Sequence, residues 1–202
     1  MLLVIDTSTA ACTAALFDEA GACLASRNEI IGRGHAERLV PMVEELLTGR
    51  RATHILVGVG PGSFTGIRVG IAAAHGMAIG WDAEVSGLSS LALLAAGANE
   101  AGVVAAAIDG GHGELFVQMF DGRTLQAHSD VLNLSPEAAA AACPSETVVG
   151  PAAQKLVDAR GWGTAIEGWP SAEQALRLPE ALRALPAKPI YGRAPDAKAK
   201  AA

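Results

Sequence analysis

The stretch LLVIDTST, residues 2–9, is a short apolar run that ends at an aspartate followed by three hydroxyl side chains. A continuous apolar run of this length, closed by a polar turn, is typical of a buried central β-strand. The sequence repeats this signal, because Ile5-Asp6 returns as Ile108-Asp109, and Phe17-Asp18 returns as Phe120-Asp121 at the same distance along the chain. The second half of the chain is therefore predicted to repeat the fold of the first.

Hydrophobic periodicity and turn residues predict the same order of elements in both halves. The first half is predicted to hold strands at 2–5, 12–17, 22–29, 55–59 and 85–87, and helices at 35–47, 67–79 and 88–98. The second half is predicted to hold strands at 103–108, 114–120, 124–131 and 147–149, and a helix at 137–142 capped by Ser135. Both halves begin with a strand and a hairpin, followed by a helix and a further strand.

A strand-strand-strand-helix-strand-helix unit in tandem is the architecture of the actin, Hsp70 and sugar-kinase superfamily, and other ribonuclease-H-like folds share it. The predicted fold class is α/β, with duplicated actin-like/Hsp70-like (ribonuclease-H-like) lobes at 1–99 and 103–193. Residues 194–202, which are rich in Ala and Lys, are predicted to be a disordered tail. Since a fold of this class supports many chemistries, function has to be argued from sites.

The composition and charge of the chain exclude several classes of protein. The longest apolar stretch, residues 69–81, contains His75 and is shorter than the ~20 residues that cross a bilayer. The N-terminus lacks the basic and apolar regions of a secretory signal. Three widely spaced cysteines without a C-x-x-C pair favour a reducing compartment, so a cytoplasmic location is expected. A net charge of −6 argues against autonomous binding to nucleic acid.

The loop GPGSFTG, residues 60–66, joins a predicted strand to a predicted helix. Glycines at such a junction let backbone N–H groups approach an anion, and Ser63, Thr65 and Arg68 add side-chain donors. The alternative explains the pattern equally well: the loop is a tight turn that requires glycines only for steric reasons, and Ser63 is a helix cap. The loop lacks the Lys of a Walker A motif and the spacing of a dinucleotide fingerprint, and Pro61 replaces the first glycine of a nucleophile elbow.

Both interpretations concern a candidate nucleotide or anion loop, which consists of Asp6, Thr7, Gly60, Gly62, Ser63, Gly66 and Arg68. Asp6 and Asp109 end the two first strands, where a pair of carboxylates suits the magnesium-phosphate chemistry of a small-molecule kinase or ATPase. The alternative is that both aspartates only cap turns, and the first hairpin lacks the glycine that admits a phosphate. The five histidines show no metal-binding spacing, so no metal site is expected in this chain.

The loop and its surroundings resemble the bacterial TsaB (YeaZ) family. The resemblance is carried by GPGSFTGIRVG (60–70), IDTS (5–8), HAERLVPM (35–42) and GLSSL (87–91), and more weakly by PIYGR (189–193). It implies a non-catalytic subunit that pairs with TsaD, with TsaE as a third member, to form N6-threonylcarbamoyladenosine next to the anticodon of tRNA. ATP or ADP and the metal are then expected in the partner subunit, with tRNA bound through the complex and no membrane contact.

The resemblance also implies that the partner binds through a helix bundle formed by the helices at 35–47 and 67–79. The matching positions are His35, Leu39, Met42, Val43, Leu46, Ile71, Ala74, His75 and Ala78. A homodimer is expected when the partner is absent. The segment DGGHGELF (109–116) departs from the family, which often has an arginine where Gly111 stands, so no role is assigned to that position.

Overall fold

The structure is a computed structural model that describes residues 1–192. The first half contains the strands β1 (Leu2–Asp6), β2 (Ala11–Phe17), β3 (Cys23–Ile30), β4 (His54–Gly58) and β5 (Glu84–Leu88). Its helices are α1 (His35–Leu47), α2 (Phe64–Trp81) and α3 (Ser90–Ala98). The tail predicted to be disordered, 194–202, lies outside the described residues.

The second half contains the strands β6 (Val103–Gly111), β7 (Glu114–Asp121), β8 (Leu132–Leu134), β9 (Thr147–Val149) and β10 (Thr164–Ile166). Its helices are α4 (Pro136–Ala142) and α5 (Ala153–Arg160), followed by 3-10 helices at Ala172–Arg177 and Glu180–Leu182.

Within residues 1–192 the strands form two five-stranded sheets of matching topology. The first sheet has the order β3-β2-β1-β4-β5, and the second has the order β10-β9-β6-β7-β8. In each sheet the first three strands along the chain pair antiparallel, and the last two join them in parallel. The predicted duplicated, actin-like α/β fold is confirmed.

Helices cover the outer face of each sheet, and α3 lies between the two sheets. Side chains alternate across each strand, as the two-residue period requires, so that Leu3 and Ile5 face α1 and α2 whereas Val4 faces α3. The core around α3 includes Leu56 of the first sheet and Phe116 of the second. The helices α4 and α5 cover the far face of the second sheet. The fold is therefore five alternating layers of helix and sheet.

The prediction of a strand at 124–131 is wrong. The third strand of the second sheet is β8. Asp121 Oδ1 accepts hydrogen bonds from the backbone N–H groups of Arg123 and Thr124 and from the Thr124 hydroxyl. Leu125 follows in the left-handed region, with a φ of 57°, and its side chain is buried. These local bonds hold the chain in a turn, so a continuous ladder with β7 begins only at Leu132.

Hydroxyl side chains set the starts of α2 and α3. Ser63 Oγ accepts a hydrogen bond from the N–H of Gly66 at 3.2 Å, which confirms its predicted role as a cap. Ser89 Oγ accepts one from the N–H of Ala92, also at 3.2 Å. The helix α2 therefore begins at Phe64 rather than at residue 67, and α3 begins at Ser90 rather than at residue 88.

After the second sheet is complete, the chain returns to the first sheet. Thr13 Oγ1 accepts a hydrogen bond from the N–H of Ala172 at 2.9 Å. Leu185 forms an antiparallel bridge with Gly87 at the edge of β5, and the N–H of Ile190 donates to the carbonyl of Val59 at 2.8 Å. The last described residues thus lie beside the glycine loop, and the predicted lobe boundaries, 1–99 and 103–193, stay predictions.

Candidate functional site

A cleft of about 640 Å³ lies between the two halves of the fold. The first half contributes the turn after β1 and the amino ends of α1 and α2, and the second half contributes Ile108, Asp109, Pro151 and Trp169. Ligands of open α/β sheets bind outside the carboxyl ends of parallel strands, so this cleft is the candidate ligand site.

Asp6 ends β1 but is fully buried and does not line the cleft. Its Oδ1 accepts hydrogen bonds from the backbone N–H of Ser8 at 2.8 Å and from the Ser8 hydroxyl at 2.7 Å. Its Oδ2 accepts one from the Ser90 hydroxyl at 2.6 Å, and Ser90 Oγ accepts one from the N–H of Gly60 at 3.2 Å. Asp6 thus ties together the turn after β1, the glycine loop and α3.

Burial and hydrogen bonding have opposite effects on the pKa of the Asp6 carboxyl. Burial raises the pKa of the Asp6 carboxyl above its ordinary value, and the hydrogen bonds from Ser90 and Ser8 offset only part of that rise. A carboxyl group with this environment is a structural link in the described conformation. It differs from the solvent-facing carboxylate that a magnesium ion requires.

Two glycines of the loop allow the turn after β1 to pack closely against it. A Cβ atom at Gly66 would overlap the carbonyl oxygen of Thr7, and a Cβ atom at Gly62 would overlap the carbonyl oxygen of Ser8. Hydrogen bonds hold the two segments at this distance, because Thr7 Oγ1 donates to the Gly66 carbonyl and the Ser63 N–H donates to the Ser8 carbonyl, both at 2.7 Å. Protein backbone fills the space around these glycines, which favours the steric interpretation.

The residues of the predicted nucleotide or anion loop do not come together as one site. Asp6 and Thr7 are buried, and Gly60 packs against Ile67 and the carbonyl of Ile190. Two members of the set line the cleft, Ser63 and Gly66. Arg68 is directed toward the C-terminal segment, where its side chain donates two hydrogen bonds to the Tyr191 hydroxyl.

The two aspartates of the predicted magnesium-phosphate site have different environments. The side chain of Asp109 is 64% exposed, and its Oδ1 lies 3.3 Å from Lys155 Nζ. Asp109 lines the cleft, whereas Asp6 lies behind the turn that forms one wall of the cleft. The structure therefore does not bring the two carboxylates together around one ligand.

No group of three or more His, Cys, Asp or Glu side chains within residues 1–192 is placed to hold a metal ion. In the same part of the chain, no helix combines the length and the apolar character needed to cross a bilayer.

Most residues predicted for the partner surface are buried inside the chain itself. The members with less than a tenth of their surface exposed are His35, Leu39, Met42, Val43, Leu46, Ala74 and Ala78. They face the first sheet because the apolar stripe of an amphipathic helix packs on the core, and the His35 imidazole also donates from Nε2 to the carbonyl of Ala11. The surface has to be corrected, since a partner can reach only the exposed His75 and the half-buried Ile71.

Other residues of α2 form a continuous exposed stripe. Phe64 is 55% exposed and Ile79 is 86% exposed, and the residues between them at helical spacing also face solvent. The α2 stripe consists of Phe64, Arg68, Ala72, His75, Gly76 and Ile79. On the neighbouring helix α1, Val40 is 49% exposed. Exposed apolar side chains grouped in this way mark interaction surfaces.

Comparison with known proteins assigns the chain to a family. The model of a family described as TsaD, tRNA N6-adenosine threonylcarbamoyltransferase, matches residues 27–160. The solved structure of YeaZ from Pseudomonas aeruginosa is 33% identical, with a TM-score of 0.79, over 94% of this chain and 98% of that one. The chain belongs to this family, in its TsaB (YeaZ) branch.

Curated TsaB proteins match part of the chain. TsaB of Escherichia coli is 42% identical over 123 residues, which are 57% of this chain and 52% of that protein. TsaB of Haemophilus influenzae is 38% identical over 123 residues, which are 57% of this chain and 51% of that protein. The chain thus matches about half the length of these curated relatives, and the TsaB resemblance seen in the sequence is confirmed.

Two contacts that organise this TsaB fold join residues far apart in sequence. Ser90 bonds to Asp6 across 84 residues, and Tyr191 bonds to Arg68 across 123 residues. Local periodicity carries no information about such pairs. The available signal was that Ser90 and Tyr191 lie in GLSSL and PIYGR, two of the segments that carry the TsaB resemblance.

The position at which the resemblance led us to expect an arginine is a tight turn. Gly111 lies where β6 turns into β7, with a φ of 78°. Glycine adopts this left-handed conformation without strain, whereas an arginine would be strained in it. The turn of this chain is therefore built for the glycine that its sequence has.

Replacing Asp6 with alanine is expected to destabilise the fold by about 3 kcal/mol, because three buried donors lose their acceptor. Replacing it with asparagine is expected to cost less than about 1 kcal/mol, since the amide has the size and shape of the carboxyl group and keeps one acceptor oxygen. Urea unfolding at pH 7 measures both values. Equal losses for the two variants would show that the hydrogen bonds accepted by this side chain do not stabilise the fold.

The raised pKa of Asp6 also predicts a dependence of stability on pH. The folded state keeps the proton at pH values where the unfolded chain, with an ordinary pKa near 3.8, has lost it. The contribution of Asp6 is therefore fully present below pH 3.8 and decreases as the pH rises toward the folded-state pKa. The difference in unfolding free energy, wild type minus Asp6→Asn, is expected to fall with rising pH, and a difference that grows would contradict the assignment.

Proposed function

We propose that this chain is a non-catalytic subunit that pairs with TsaD in an assembly making N6-threonylcarbamoyladenosine next to the anticodon of tRNA. Its membership of the TsaB branch carries the proposal. TsaD supplies the ATP or ADP site, the metal and the transfer chemistry, and TsaE joins as a third member. The tRNA binds through the complex in the cytoplasm, and the chain forms a homodimer when TsaD is absent.

The interior of the chain supports a binding role over a catalytic one. Asp6 is enclosed by three hydrogen bonds, and backbone carbonyls occupy the space beside Gly62 and Gly66. Asp109 faces Lys155 and not a second acid. These contacts use the groups that an actin-like enzyme would direct at a magnesium-phosphate ligand.

The surface of α2 supports pairing through a helix bundle. A Cβ atom at Gly76 would meet no other atom within 4 Å, so a partner helix can approach this part of the backbone closely. Ile79, with 86% of its surface exposed, offers an apolar side chain that a partner would bury. Small residues beside a large apolar one are the surface that close helix packing uses.

Size-exclusion chromatography with light scattering tests the proposal on the purified chain and TsaD of the same organism. A stable heterodimer is expected at micromolar concentrations. The chain alone is expected neither to hydrolyse ATP nor to modify tRNA. Absence of a complex, or threonylcarbamoylation by the chain alone, would overturn the proposal.

The cleft between the halves favours a second candidate, a small-molecule kinase or ATPase, because its volume of about 640 Å³ suits a nucleotide. Calorimetry of the isolated chain with Mg-ATP separates the two candidates. We expect no measurable binding. Tight binding of Mg-ATP that is lost in the Asp109→Asn variant would favour the enzyme. The Asp6→Asn variant is the matched test at the buried carboxyl.

A further inference from the structure

Two aromatic rings and an arginine lie together at the amino end of α2. The Arg68 guanidinium carbon is 3.5 Å from the centroid of the Phe64 ring and 5.7 Å from that of Tyr191. The two ring centroids are 5.6 Å apart. We call Phe64, Arg68 and Tyr191 the Arg68 cluster.

The Arg68 cluster leaves much of its apolar surface in solvent. Phe64 is 55% exposed and Tyr191 is 45% exposed. Aromatic side chains and arginine are the residues that protein interfaces favour, and they supply most of the residues whose truncation weakens binding strongly. A cluster of this composition on the surface is therefore suited to bind a partner.

The guanidinium of Arg68 is held in place but has no ionic partner among residues 1–192. Its Nε and Nη2 donate to the Tyr191 hydroxyl at 3.1 and 2.9 Å, and the Phe64 ring supports it from one side. The Nη1 group makes no hydrogen bond within the described part of the chain. A fixed cation with free donors is complementary to a carboxylate, which pairs with arginine through its two oxygens.

The cluster is continuous with the α2 stripe and is held by the chain on both sides. Phe64 and Arg68 are the first two members of the stripe, and the C-terminal segment places Tyr191 beside them. That segment is fixed by the hydrogen bond from Ile190 N–H to the Val59 carbonyl and by the bridge between Leu185 and Gly87. A partner that covers the α2 stripe therefore meets a preorganised cluster at its amino end.

We infer that the Arg68 cluster anchors the partner on this surface and receives a segment with an apolar side chain next to a carboxylate. The apolar side chain packs against Phe64 and Tyr191, and the carboxylate pairs with Nη1 of Arg68. The inference rests on the proposed function, and it adds a third element, the segment at 185–192, to an interface expected from two helices.

Binding of TsaD to Phe64→Ala and Arg68→Ala variants tests the inference. Each variant is expected to raise the dissociation constant about thirty-fold, because truncation of an anchoring residue has an effect of this size. The matched control is Trp162→Ala in the second half of the chain. The Arg160 guanidinium carbon lies 3.9 Å from the centroid of the Trp162 ring, and Trp162 is 47% exposed. The control is expected to bind TsaD as the wild type does.

Two further variants separate the anchor from general damage to the fold. Tyr191→Phe keeps both rings and removes one hydrogen-bond acceptor, so it is expected to weaken binding less than Arg68→Ala does. Arg68→Gln is expected to lower the salt dependence of binding, because the ion pair with the partner's carboxylate is lost. An unchanged salt dependence would overturn the assignment of a carboxylate, and thermal unfolding of each variant verifies that the fold persists.

The outcomes distinguish this inference from the proposed function. If Ile79→Glu prevents pairing with TsaD while Phe64→Ala and Arg68→Ala bind normally, the anchor is overturned and the proposed function stands. If the wild-type chain fails to bind TsaD at all, the proposed function falls and the anchor falls with it.

Discussion

Alanine at Gly66 is expected to destabilise the folded chain by about 3 kcal/mol, the upper part of the range for overpacked sites. The new Cβ atom would overlap the carbonyl oxygen of Thr7. Neither atom can yield easily, since Thr7 follows directly on the central strand β1 and Gly66 lies in the first turn of α2. Urea unfolding followed by circular dichroism measures the loss.

Gly76→Ala is the matched control in the same helix. A Cβ atom at Gly76 meets nothing within 4 Å, so the alanine gains about 0.5 to 1 kcal/mol from its higher helix propensity. The two substitutions are chemically identical and are expected to change stability in opposite directions. Equal unfolding midpoints for Gly66→Ala and the wild type would show that the close approach of the turn after β1 is not needed for folding.

The Ile79→Glu variant is expected to bind TsaD much more weakly than the wild type does. The dissociation constant is expected to rise at least about a hundred-fold. The substitution places a charge in an apolar contact, where it would be buried without a partner. Because 86% of the Ile79 surface is exposed in the chain alone, the fold itself is expected to be unchanged. Isothermal titration calorimetry with TsaD measures the change.

A glutamate at Trp162 controls for the added charge. Trp162 is 47% exposed and lies in the second half of the chain, away from α2. Trp162→Glu is expected to bind TsaD within about two-fold of the wild type, as a charge outside an interface does. Normal binding by Ile79→Glu would remove α2 from the partner surface and with it the helix bundle as the mode of pairing.

Elements whose signals are local could be predicted from the sequence. The run at 2–9 and its repeat identified the duplicated fold, and the structure places β1 and β6 at equivalent positions in two sheets of matching order. The helix α1 has the bounds that periodicity predicted, His35–Leu47, and Ser63 caps α2 as expected. Periodicity and capping depend on residues a few positions apart, so one sequence is enough to see them.

The strand predicted at 124–131 failed because side-chain bonds competed with the sheet. The hydroxyl and apolar residues of the segment suit a strand, but Asp121 binds the backbone of Arg123 and Thr124 and turns the chain first. The prediction of the partner-facing residues has to be corrected for a different reason. A helix pattern identifies its apolar stripe, and that stripe packed on the sheet as core instead of facing a partner.

The sequence by itself determined that the chain has two actin-like lobes, that a glycine loop joins β4 to α2, and that the whole resembles TsaB. These conclusions depend on patterns that repeat or lie within a few residues of one another. Only the tertiary structure decided that the loop packs on the turn after β1, that Asp6 is enclosed by Ser8 and Ser90, and that Tyr191 holds Arg68. Burial and long-range pairing depend on which segments meet when the chain folds, and no local pattern encodes that.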